Sequence, residues 1–152
     1  MLSIKKIAIS VALCSAACLP AMSMAACTVV NKTSTVDNAL VIKMLQDREC
    51  TAALKAFAAK EYSIENVNFA LDTMNRKDKK TIYTTLVKPG SLNISPAAKA
   101  PLDAAAAKAE AADASAAKNG AAMWAAIDYA PAYNEIVRGM VDTLNRYKGS
   151  LK

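Results

Sequence analysis

Wherever this chain carries a hydrophobic period, the period is helical. Tyr133, Ile136, Val137, Met140, Val141, Leu144 and Tyr147 recur at i, i+3, i+4, i+7, i+8, i+11 and i+14, the spacing that lines one face of an α-helix. Pro131 near the start and Gly149 at the end are natural bounds for that segment. No stretch alternates apolar and polar residues long enough for a strand, and the one short candidate, Cys27 to Val30, lies near the start of the expected mature chain. The pattern predicts an all-α protein, a bundle of seven to nine short helices.

The remaining helices follow from start and stop signals. Asp37 precedes Leu40, Val41, Met44 and Leu45, and Thr51 precedes Leu54, Phe57 and Ala58; both are expected as helix caps. Ser63 precedes a run with Val67, Ala70, Leu71 and Met74 inward, and Asp78 opens a helix with Ile82, Tyr83 and Leu86 that Pro89-Gly90 ends. From Ala97 to Ala126, 17 of 30 residues are alanine, the strongest helix former. A helix from about 103 to 118 is expected there, started by Asp103 after Pro101 and stopped by Asn119-Gly120, with a second short helix before it opened by Ser95-Pro96. Trp124 and Phe69 are expected in the core.

The first residues have the layout of a secretory signal. Lys5 and Lys6 precede an uncharged apolar run from Ile7 to Leu19, and Pro20 to Ala26 is mostly small. Residues 1–26 are therefore expected as a signal peptide and 27–152 as one helical domain, exported to a periplasm or secreted. No transmembrane segment is expected, because the apolar run is 13 residues long where a span needs about 20. Ser23-Met24-Ala25 fits ordinary signal peptidase, releasing a chain that starts at Ala26. Met24-Ala25-Ala26-Cys27 is an imperfect lipobox that would instead anchor a lipid at Cys27. Cys14 and Cys18 leave with the signal, so Cys27 and Cys50 remain as an even pair in an oxidising compartment, and a disulfide between them is expected.

Composition removes several function classes. The chain has no histidine, the commonest general base and metal ligand, and no calcium loop, nucleophile elbow or phosphate-cradling glycine loop occurs. No metal, no cofactor and no intrinsic catalysis are expected. Net charge is +6, falling to +4 once Lys5 and Lys6 are removed. The only basic cluster is Arg76-Lys77-Asp78-Lys79-Lys80, which reads as a solvated connector between helices, so nucleic acid is not an expected partner.

One constellation is specific. Lys60 to Phe69, KEYSIENVNF, resembles the E-[FY]-S-x-E-N-[IL]-x-F segment of the regulator of G-protein signalling (RGS) domain family. Phe57, Ile82-Tyr83, Leu92-Asn93-Ile94 and Asp142 to Tyr147 (DTLNRY) resemble further blocks of that family, in its order, from about 37 to 151. Ala70 and Arg138 stand where the family has a tryptophan and a leucine. The resemblance implies a nine-helix bundle that grips the switch regions of a G-protein α-subunit, here one of a host, and favours GTP hydrolysis by positioning groups the GTPase already owns. The implied contact residues are Ser63, Glu65, Asn66, Asn93, Asp142, Thr143 and Arg146.

Each also has a plain structural role: Ser63 as a cap, Glu65 at a helix's positive end, the asparagines as loop braces, and Asp142 with Arg146 as an i, i+4 pair. A second class of function is an exported structural or stress-related bundle with no G-protein partner. The binding reading makes a geometric demand: Glu65, Asn66, Asn93, Asp142 and Arg146 should meet on one face, with Asp142 holding Arg146 and both asparagine amides open to solvent.

Overall fold

A computed structural model describes residues 27–61, 63–115 and 119–151; the expected signal peptide lies outside the described residues. The protein is all-α, and no strand occurs among the described residues, Cys27 to Val30 included. In order come α1 (Asn38–Gln46), α2 (Arg48–Lys60), α3 (Ile64–Met74), α4 (Lys79–Ile82), α5 (Pro96–Ala114), α6 (Gly120–Ala125) and α7 (Ala130–Ser150). The single turn of α4 passes directly into a π turn, Tyr83–Val87. Six of these described helices are longer than one turn, somewhat fewer than the seven to nine expected.

Capping explains where the chain starts its helices. Asp37 accepts from the Leu40 amide at 2.8 Å, and Asp78 from the Thr81 amide at 2.8 Å. Thr51 does not cap. Asp47 does, accepting from the Cys50 amide at 2.8 Å and also ending α1. Thr51 lies inside α2, where its hydroxyl donates to the Met44 and Leu45 carbonyls left open at the end of α1. Ser63 precedes α3 without a side-chain cap bond, since its hydroxyl donates to Ala58 O instead.

The alanine-rich region departs from expectation in two respects. A single 19-residue helix runs through Pro101, where a break before Asp103 is expected. Ser95 caps it through the Ala98 amide and Pro96 fills the first turn. Pro101 lacks the amide that would bond Ala97 O, yet Ala97 is exposed, so water can satisfy that carbonyl. Asn119-Gly120 starts α6 rather than stopping the preceding helix. A Cβ at position 120 would meet the Asp113 carboxylate and force it to shift.

The long α7 packs against α1, α2, α3 and α5, and α5 against α6. Ile136, Val137, Met140, Leu144 and Tyr147 of α7 are buried with Phe69, Leu54, Met44 and Trp124. Each fully buried large apolar side chain contributes about 1.5–3 kcal/mol by leaving water. Phe69 meets Tyr129 edge-on, and Phe57 meets Tyr147 likewise. Trp124 donates its indole N–H to Asp113, which also binds Lys80. Cys27 and Cys50 form a disulfide that ties the start of the domain to the first turn of α2. Lys148 donates to Ser34 O at 2.7 Å, which fastens the same segment to α7.

Candidate functional site

Three stretches meet at the N-terminal end of α3: the α2–α3 turn, the loop before α5, and the middle of α7. They enclose a polar cleft of about 380 Å³ whose walls include Ser63, Asn66, Asn93, Asp142, Thr143 and Arg146. Six of the seven residues carried by the sequence resemblance therefore share one cleft. Glu65 does not line it; it sits half-buried in the first turn of α3. Helix geometry accounts for that: Asn66 is one residue on, roughly 100° around the axis.

The loop before α5 is held from both sides. Asn93 N–H donates to Asn66 Oδ1 at 3.0 Å. Glu135 of α7 accepts from the Ser95 amide at 2.7 Å and from its hydroxyl at 3.0 Å. The asparagines are thus not equivalent. Asn93 presents an exposed side chain, whereas the half-buried Asn66 uses its amide oxygen as the brace.

Arg146 is placed differently from expectation. Asp142 does not bridge to it. Its Nε donates to both oxygens of Glu61, at 2.9 and 3.0 Å, and its Nη2 to Glu61 Oε2 at 2.8 Å. The planar guanidinium matches a carboxylate met side-on, which an i, i+4 aspartate on the same helix does not offer. The Arg146 hydrogen bonds hold the Glu61 carboxyl below its ordinary range, and Glu61 in turn raises Arg146. Asp142 is left exposed, without an ion pair among the described residues. Thr143 is buried at the cleft floor, within 3.4 Å of Arg146 Nη2.

Four further lining residues, Glu61, Ser91, Ile136 and Gly139, are not among the contact residues the resemblance implies. Glu61 lies inside the E-Y-S motif itself, so its signal was present. Gly139 leaves space: a Cβ there meets nothing within 4 Å. Arg138, adjacent to it, is exposed and outside the cleft walls. Among the described residues no cluster of His, Cys, Asp or Glu could hold a metal ion, and no helix is long and apolar enough to cross a membrane.

The cleft offers hydrogen-bond donors and acceptors on a hydrogen-bonded frame, and its lining residues hold no arrangement of base and nucleophile. No family model, curated protein or solved structure matches this chain.

Proposed function

We propose that this is an exported, RGS-like protein-binding domain whose cleft receives a loop of a protein partner, and that the partner is a host G-protein α-subunit gripped at its switch regions. One observation carries the reading. Asn66, Asn93, Asp142, Thr143 and Arg146 come from three elements and line one polar cleft, which supports the resemblance although Glu65 stays outside the cleft and Arg146 pairs with Glu61 rather than Asp142. A bundle built only for stability has no need of an exposed polar cleft braced by Asn66, Glu135 and Glu61. The domain would act as a GTPase activator through its partner, by fixing the geometry of groups in the GTPase.

Export is supported by the N-terminal pattern and by the Cys27–Cys50 disulfide, which suits a periplasm or the extracellular space. The same bond occupies the sulfur that a lipid anchor at Cys27 would need, which favours the free form.

The test is single-turnover GTP hydrolysis by purified Gα subunits with and without residues 27–152. Acceleration that is lost in Asn93→Ala and Arg146→Ala supports the reading. No acceleration at tens of micromolar removes the GTPase partner and favours the exported structural bundle.

A further inference from the structure

The C-terminal end of α3 carries a second cavity, about 780 Å³, separate from the cleft. The two lie at opposite ends of an 11-residue helix, roughly 15 Å apart at 1.5 Å per residue. Its size falls within the roughly 300–1,000 Å³ of small-molecule sites. The walls are mainly apolar, with Met74, Ile82, Ala121, Tyr129 and Tyr133.

The charges at its rim are unevenly spent. Lys77 is paired with Asp72 at 2.9 Å. Lys79 donates to the Ala125 and Ile127 carbonyls, which close the end of α6. Asp78 caps α4, and Asp128 accepts from the Ala130 amide. The Arg76 guanidinium alone among these cationic groups has no hydrogen-bond or ion-pair partner among the described residues. Three cations and two carboxylates line the space, and Asp72 outside it offsets Lys77, so the feature left for an anion is the unpartnered Arg76 guanidinium rather than a net charge.

Arg76 is also costly where it stands. It lies two residues past α3 at φ 51°, with Lys77 N–H reaching back to Asp72 O at 3.0 Å. That left-handed position normally takes glycine. Strain of this kind concentrates at functional positions. In the same wall Thr73 Oγ1 is buried without a hydrogen-bond partner.

We propose that this cavity binds a small monoanionic amphiphile, an aliphatic or aromatic monocarboxylate. Its apolar body lies against Met74, Ile82 and Tyr133, and its carboxylate pairs with the Arg76 guanidinium.

Calorimetry on residues 27–152 with monomeric dodecanoate, and with dodecanol as the uncharged probe, tests this. Dodecanoate is expected to bind more tightly than dodecanol. Arg76→Gly should weaken dodecanoate roughly tenfold, the size of a lost charge-assisted hydrogen bond, and leave dodecanol unchanged. The same variant should raise the melting temperature, because glycine relieves the left-handed backbone, so lost binding cannot be ascribed to unfolding. Ala121→Trp, at an exposed wall position, should abolish both probes. Absence of dodecanoate binding at about 1 mM, or equal binding by Arg76→Gly, overturns the proposal. Binding only to anionic vesicles also overturns it, in favour of a membrane surface.

Discussion

Arg146 lies along the Glu61 carboxylate with Nε and Nη2 at 2.8 to 3.0 Å, and so joins the end of α2 to the last turns of α7 across 85 positions. This bond leaves Asp142 free at the cleft mouth. The cleft therefore exposes one neutralised pair, one free carboxylate and one free asparagine side chain.

The pair has a pH signature. The Glu61 carboxyl sits below its ordinary value of 4.5 in the folded protein, chiefly through Arg146. A depressed folded value adds stability above the unfolded value, and that stability is lost as pH falls through the folded one. The melting-temperature gap between wild type and Glu61→Gln should be constant above about pH 5.5 and shrink progressively as pH falls below the unfolded value and through the lower folded one. It should be small throughout, because the pair faces solvent. A gap that widens on acidification contradicts the assignment.

The disulfide closes a separation of 23 residues, worth roughly 3 kcal/mol in the chain-entropy model. Denaturant melts with and without a reductant should differ by about that amount. Reduced protein should also exchange amide protons faster over residues 27–36, held otherwise by the Lys148–Ser34 contact. Coincident melts would show that the bond contributes nothing to the fold.

Phe69 is fully buried against Tyr129. Phe69→Ala should cost about 3–5 kcal/mol, read from the midpoint of a urea transition at unchanged slope. A cost under about 1 kcal/mol would mean that the site collapses around the cavity.

Much of this fold is legible in the sequence because its signals are local. Asp37 and Asp78 sit directly before helical periods, and their side chains reach the amides three residues on. Thr51 and Ser63 mislead for a related reason: each resembles a cap, but Asp47 starts α2 earlier, and the Ser63 hydroxyl finds Ala58 O. Pro101 reads as a break because a local rule cannot show that the residue whose carbonyl it leaves unbonded, Ala97, is exposed. The cleft is half legible. Motif order identifies Asn66, Asn93, Thr143 and Arg146, which a bundle then brings together. The partner of Arg146 is not legible, since Asp142 is the neighbour in sequence and Glu61 the neighbour in space.

The two buried-or-open glycines of the helical frame give opposite predictions. At position 120 an added methyl strikes the Asp113 carboxylate, which holds Trp124 at 2.9 Å and Lys80 at 2.7 Å. Gly120→Ala must push that carboxylate aside, and overpacking of this kind costs about 1–3 kcal/mol. At position 139 the added methyl meets open space in the middle of α7. Gly139→Ala should stabilise the helix by about 0.5–1 kcal/mol, the ordinary gain of alanine over glycine. Yet Gly139 lines the cleft, so the same methyl narrows the surface offered to a partner loop. On the proposed reading the expected pattern is a higher denaturation midpoint together with weaker acceleration of Gα hydrolysis, a combination that general destabilisation cannot produce. If Gly139→Ala is both more stable and fully active, partner contact does not reach the middle of α7, and the binding surface is confined to Asn93 and the Asp142–Arg146 turn.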